Sequence, residues 1–193
     1  MGKFLKPLVF LLALIPFAVL LARVVFNELG PDPAQELAKE TGEWALRFLL
    51  ITLTLTPLQR LSGTATFTRQ RRMLGLFALF YATVHFLVWV AFLLGFRWFA
   101  ILEELVERPY ITVGFSAYLI LLALGITSPK VMVRRLGRNW KRLHRLVYLA
   151  GALGIVHLLW ILRTDIGEAL MYGLILAVLL GYRFYYSRSR KTP

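Results

Sequence analysis

The chain contains no cysteine in its 193 residues. Disulfides, cysteine-ligated iron–sulfur clusters and thioether-attached haem are therefore excluded. Acidic residues are scarce: ten Asp and Glu stand against 23 Lys and Arg, for a formal net charge of +13. Histidine is rarer still, with three copies. No G-x-G-x-x-G phosphate loop occurs, so the usual nicotinamide-nucleotide signature is missing. No low-complexity segment appears, and no internal repeat stands out.

What the chain does have is apolar sequence. Its hydrophobic content is 59%, well above the roughly 45–50% usual for soluble domains. Several runs approach the roughly 20 residues needed to cross a hydrocarbon core. Spans are expected near 7–26, 43–59, 73–95, 110–127, 145–162 and 168–186. Backbone exposed to lipid must satisfy its own hydrogen bonds, so these are read as helices. The alternating pattern of a membrane barrel is absent. The expected fold is all-α, a single domain over 1–193 forming a six-helix transmembrane bundle. The second span is short and threonine-rich, with Thr52, Thr54 and Thr56, and Pro57 is expected to end it. The first apolar run could pass for a signal peptide, but no small-x-small cleavage site follows it. It is read as a retained span.

Charge sorts the loops. Seventeen of the 23 basic residues fall on one side: Lys3, Lys6, Arg60, Arg69, Arg71, Arg72, Lys130, Arg134, Arg135, Arg138, Lys141, Arg142, Arg145, Arg183, Arg188, Arg190 and Lys191. All ten acidic residues fall on the other. The positive-inside rule makes the basic side cytoplasmic, which puts both termini there. The same clustering argues against nucleic acid, since no folded reader of bases fits in such loops. The partner of this surface is the lipid bilayer. The segment 96–110, FRWFAILEELVERPY, is amphipathic and is expected either to lie in the outer interface or to form an ordinary structured loop.

The histidines carry the functional signal. An ionisable side chain inside a span is costly and marks a candidate site. His85 comes 13 residues after Arg72, and His157 comes 13 residues after His144. At 1.5 Å per residue, each lies about 20 Å from the basic edge of its helix. Two imidazoles at one depth on neighbouring helices suit axial ligation of a haem iron. The alternative is a pair of buried side chains hydrogen-bonded to neighbouring helices. His144 sits at the basic edge and is a third candidate ligand, for a second, inner haem. On a straight helix a 13-residue separation leaves it about 140° from His157. Sharing one face would need an overwound or bulged helix; Gly151 and Gly154 lie between the two, either to permit such a distortion or to let a flat porphyrin approach the backbone. The position opposite His144 holds Arg72, which does not ligate iron. Arginines suit anionic propionates and phosphates. Arg163 is the candidate for the outer haem, with Arg47 and Arg97 as further ones. Arg71, Arg72 and Arg145 are the candidates for an inner cofactor or a flavin phosphate. Phe77, Phe80, Tyr81 and Phe86 either line a cofactor pocket or pack the bundle.

The strings RRMLGLFALFYATVHFLVW (71–89), NWKRLHRLVYL (139–149) and TLTLTPLQRL (52–61) resemble the ferric reductase-like transmembrane family. The likeness is closest to its branch of haem-binding subunits of the bacterial protein-methionine-sulfoxide reductase system. That resemblance implies b-type haem on His85 and His157, His144 as a further functional histidine, and a flavin, FMN. It also implies electron transfer across the inner membrane to a periplasmic molybdopterin subunit that reduces methionine sulfoxide. Larger family members carry paired histidines on both spans and a nucleotide-binding dehydrogenase domain; here span three has one histidine. Electrons are therefore expected from the quinone pool or from a cytosolic flavin reductase. The rival readings are a stand-alone cytochrome b reducing ferric iron or another small acceptor, and a cofactor-free transporter. The scarcity of acids within the spans speaks against the last.

Overall fold

The computed structural model describes residues 2–162 and 166–189. Among the described residues the chain is helical, with no strand. Nine α-helices follow in order: α1 (Gly2–Val25), α2 (Pro33–Ser62), α3 (Thr66–Val88), α4 (Trp98–Glu107), α5 (Pro109–Ile126), α6 (Lys130–Leu136), α7 (Arg138–Leu143), α8 (Val147–Ile161) and α9 (Gly167–Ser189). A π-helical turn, Trp89–Leu93, continues α3, and a 3₁₀ turn, His144–Leu146, joins α7 to α8.

Among the described residues, five helical stretches are long and apolar enough to cross a membrane: Phe4–Val25, Thr66–Leu93, Pro109–Ile126, Arg138–Ile161 and Gly167–Tyr186. These coincide with five of the six expected spans. The remaining one, α2, differs from the expectation at both ends. It starts ten residues earlier, where Asp32 caps it by accepting from the Gln35 N–H at 3.1 Å and Pro33 opens its first turn. Charged residues fill this added portion and dilute its apolar character. Pro57 does not end the helix, which runs on to Ser62 and a left-handed Gly63 at φ 68°. The Thr52 and Thr54 hydroxyls donate to the carbonyls of Phe48 and Leu50, at 2.7 and 2.9 Å. Threonines in an apolar helix are satisfied in this way without an outside partner.

Although α2 is the least apolar long helix, it is the centre of the bundle. Its most extensive packing is with α3, and it also touches α1, α8 and α9. Small residues make the close approach possible: Ala45, Ala78, Ala82 and Ala150 are all buried. Between lipid-embedded helices this van der Waals fit replaces the hydrophobic drive of soluble cores. The outward faces of α1 and α9 are apolar and exposed, as at Phe4, Leu11, Leu174 and Val178, which is the surface lipid would cover.

The hydrogen-bond ladder of α1 is interrupted by Pro16, which has no N–H to donate and crowds the preceding turn. Tyr81 repairs the break. Its buried hydroxyl accepts from Phe17 N–H at 3.0 Å and donates to the Ala13 carbonyl at 2.9 Å. Around it Phe48, Phe77 and Phe80 stack or meet edge to face at 5.2–6.3 Å. These aromatics thus pack α1 onto α2 and α3. Phe86 belongs to another group and stacks on Tyr118 of α5 at 5.0 Å.

The amphipathic 96–110 segment is helical over α4, which buries none of its residues; Phe99 is 90% exposed on its apolar side. Gly95 and Phe96, both at positive φ, make the reversal into it.

Candidate functional site

The second largest helix pairing after α2 with α3 is α5 with α8. The two pairs carry the two central histidines in the same way. The His85 Nδ1 lies 2.7 Å from the Ala38 carbonyl of α2, and the His157 Nδ1 lies 2.6 Å from the Tyr110 carbonyl of α5. In both cases the two residues are 47 apart in the chain. A carbonyl oxygen only accepts, so each Nδ1 carries the proton. Each Nε2 is then left as a free lone pair, the tautomer that metal-bound histidines adopt.

The neighbouring turn of each partner helix holds a glycine. A Cβ at Gly42 would lie 3.0 Å from His85 Nδ1, and one at Gly114 would lie 2.7 Å from His157 Nδ1 and Cε1. Each imidazole therefore lies directly against helix backbone, and a side chain at either glycine would displace it.

These coincidences expose a repeat that the sequence reading missed. Ala38, Gly42 and His85 correspond to Tyr110, Gly114 and His157 at a constant offset of about 72 positions. The same offset pairs Ala45 with Ala117, Thr56-Pro57 with Ser128-Pro129, and Ala78 with Ala150. Too few identities survive to stand out against apolar sequence. The signal was present in the glycine and the proline of each half. By the same offset, Arg72 holds the place of His144.

The His85 and His157 rings approach to 6.2 Å between centres at an interplanar angle of 82°. Two imidazoles on opposite sides of one metal have ring centres about 6 Å apart, given metal–nitrogen bonds of about 2 Å. Separation, tautomer and backbone anchoring all fit a bis-imidazole haem site. Among the described residues there is no cluster of three or more His, Cys, Asp or Glu side chains. Two protein ligands suffice only for a metal that brings a macrocycle of its own.

His144 is not in this group. It lies in the 3₁₀ turn, its Nε2 is 3.1 Å from the Thr127 hydroxyl, and Trp140 stacks on its ring at 3.9 Å. Trp140 also donates to the Thr127 carbonyl at 2.9 Å. The tighter turn overwinds this segment in the direction a shared face would need, but closes only about 60° of the roughly 140° offset. Three residues at 3.0 per turn rotate His144 by about 60° relative to a straight helix, toward the His157 face. Gly151 and Gly154 play no part in this. They pack at ordinary distance against Leu176, Leu49 and Leu46.

The arginines are placed as follows. Arg47 is held by carboxylates, 2.8 Å from Glu43 and 3.2 Å from Glu168, and it donates to the Tyr172 hydroxyl at 2.7 Å. Arg97 donates to the Leu94 carbonyl at the end of the π turn. Arg71 donates to Thr56 at 3.1 Å. Arg72 and Arg145 are exposed and make no hydrogen bond or ion pair among the described residues. Arg163 lies outside the described residues.

Comparison with known proteins gives one family throughout. Residues 41–155 match the model of the ferric reductase like transmembrane component. The chain is 53% identical over 157 residues to the protein-methionine-sulfoxide reductase heme-binding subunit MsrQ of Xanthomonas oryzae, covering 81% of this chain and 72% of that protein. It is 43% identical over 180 residues to the MsrQ heme-binding subunit of Bordetella pertussis, covering 92% and 87%.

Proposed function

Since the chain belongs to the ferric reductase-like transmembrane family, and to its MsrQ heme-binding subunits, we propose that it is a membrane electron conduit. It passes electrons from quinol or a cytosolic flavin reductase to a periplasmic, molybdopterin-containing methionine-sulfoxide reductase subunit. In this reading α2 is the sixth span, the basic end of the bundle is cytoplasmic, and both termini lie there.

The observation that carries the proposal is the His85–His157 pair: ring centres 6.2 Å apart, with both Nδ1 protons committed to backbone carbonyls. A b-type haem bound there would supply one-electron ferric/ferrous chemistry. The chain's own contribution is to fix both ligands. The Ala38 and Tyr110 carbonyls select the tautomer, and hydrogen bonding at Nδ1 makes each Nε2 a better donor. Gly42 and Gly114 leave room for the rings to lie flat on the helices. With both ligands anchored to backbone, little of the chain would have to move when a haem held there gained or lost an electron. These properties suit electron transfer rather than catalysis on a substrate. The pair lies about 20 Å from the basic edge of the bundle, nearer the acidic end, where a periplasmic acceptor would dock.

His144 is assigned to a second, inner haem, with its Nε2 exchanging the Thr127 hydroxyl for iron. FMN is placed at the basic end, with Arg71, Arg72 and Arg145 as its phosphate candidates. The alternative, a stand-alone ferric or small-acceptor reductase, uses the same haem site and differs only in the acceptor.

The test is an absorption spectrum of the purified protein, with reduction by dithionite. A Soret band and a sharp reducible α-band are expected, and His85→Ala and His157→Ala should each remove the outer haem. A colourless folded preparation from haem-replete cells would overturn the proposal. Electron delivery to a purified methionine-sulfoxide reductase subunit, compared with ferric citrate, separates conduit from stand-alone reductase.

A further inference from the structure

At the basic end of the bundle three arginines from three helices converge. Arg60 comes from the last turns of α2, Arg71 from the first turns of α3, and Arg183 from the far end of α9. Thr56, which Arg71 contacts, stands one turn before Arg60 on α2, and Tyr186, whose ring Arg60 overlies, stands one turn after Arg183 on α9. Each guanidinium is held in place by a neutral group. Arg60 lies 5.2 Å over the Tyr186 ring, Arg183 lies 4.9 Å over the Tyr148 ring, and Arg71 donates to Thr56. None of the three forms an ion pair among the described residues, whose ion pairs all involve carboxylates of the acidic end. The Tyr182 hydroxyl, one residue from Arg183, is shielded from solvent and forms no geometrically sound hydrogen bond among the described residues.

Like charges gathered in this way repel one another, and the effect is larger near low-dielectric surroundings. A topology signal needs only basic residues at the correct end of the membrane. It does not require them to converge, nor to be oriented by tyrosine faces. Arginine presents planar forks of donors that match phosphate oxygens, and three forks suit a group with several oxygens and up to two negative charges.

We propose that Arg60, Arg71 and Arg183 form a phosphate-binding site at the basic end of the bundle, for an anionic lipid headgroup or a soluble phosphate monoester. The Tyr182 hydroxyl is placed to donate to the same group. The residue set differs from the Arg71, Arg72 and Arg145 candidates of the sequence reading and shares only Arg71 with them. The site lies about 20 Å along α3 from His85, so it is separate from the outer haem position.

The test uses the full chain in phosphatidylcholine nanodiscs, with the haem spectrum as the control for folding. In the lipid arm, phosphatidylglycerol is doped in at low fraction, and native mass spectrometry counts what the protein retains on release. In the soluble arm, FMN is titrated against riboflavin, which lacks only the phosphate, with flavin fluorescence as the readout. This second arm alone rests on the flavin of the proposed function.

Retention of phosphatidylglycerol, or at least a tenfold preference for FMN over riboflavin, identifies the source. Either signal should fall about tenfold in the triple Arg60→Gln/Arg71→Gln/Arg183→Gln variant. The triple lysine variant, which keeps the charge, should retain part of it and guards against loss through misfolding. Equal behaviour of wild type and triple Gln variant in both arms overturns the proposal. So does a signal that is unchanged in the triple variant but abolished by His144→Ala, because the ligand would then belong to an inner haem site. Absence of haem with a phosphate signal intact would overturn the proposed function and leave this site standing.

Discussion

Gly114 lies so close beneath the His157 ring that a Cβ there would stand 2.7 Å from the ring's Nδ1 and Cε1. The ring cannot simply retreat, because its Nδ1 is bonded to the Tyr110 carbonyl of the same helix. Gly114→Ala should therefore tilt the imidazole and break that bond. Haem content should fall about fivefold or more, with residual haem shifted toward high spin. At Gly42 the corresponding contact is 3.0 Å, so Gly42→Ala should keep its haem and show a displaced midpoint potential. Haem-to-protein ratio, electron paramagnetic resonance and potentiometry check both. A Gly114→Ala protein with wild-type content and spectrum would show that the ring is not constrained as argued.

The histidine pair was legible in the sequence because depth along a helix follows from counting residues at a fixed rise. Helical phase was legible too: it set His144 off the His157 face, and the 3₁₀ turn beside His144 reduces that offset without closing it. The backbone carbonyls that hold the two rings were not legible, since any residue type supplies a carbonyl. Pro57 was misread as a helix end; a long helix embedded among α1, α3, α8 and α9 tolerates a proline that an isolated one would not. Arg47 was read as free for a propionate although Glu43 stands one turn before it on α2; Glu168 is remote in the chain, and only the packing of α9 on α2 brings it to Arg47.

Tyr81 ties the proline-broken turn of α1 to the bundle through two hydrogen bonds. Removing its hydroxyl leaves the Phe17 N–H and the Ala13 carbonyl without partners in apolar surroundings. Tyr81→Phe should cost about 2 kcal/mol, read as a lowered thermal midpoint in detergent. Pro16→Ala restores a continuous ladder, so the same tyrosine change should cost much less in that background. An additive double mutant would contradict the role assigned to the hydroxyl.

Glu43 is buried, with 7% of its side chain exposed, whereas its partner Arg47 is 31% exposed. Losing Arg47 leaves Glu43 and Glu168 with only the more exposed Lys39, 4.0 Å from Glu43, as counter-charge. Arg47→Leu should cost about 2–3 kcal/mol, below the range for a fully dry pair because Arg47 is partly exposed. Glu43→Gln should cost less, since it removes a buried charge together with an attraction. Glu43→Gln/Arg47→Leu should recover part of the loss of the single arginine variant. Thermal unfolding of the four proteins measures the coupling, and zero coupling would mean the pair is only a surface contact.

His144 differs from the other two histidines in what its Nε2 meets. In the outer pair that nitrogen is free, whereas here it lies 3.1 Å from the Thr127 hydroxyl, with Trp140 stacked on the ring. An iron at this position must displace a hydroxyl and leave the stacked indole in place. Such a ligand would have no histidine opposite it, because the repeat puts Arg72 there. The haem count decides the assignment. Two haems per chain are expected in wild type, falling to one in His144→Ala with the α-band of the outer haem retained. Thr127→Val removes the competing hydroxyl and should tighten the inner haem, so that less is lost on dilution. A wild-type count of one, or a count unchanged by His144→Ala, would leave His144 as a hydrogen-bonding residue at the mouth of the bundle.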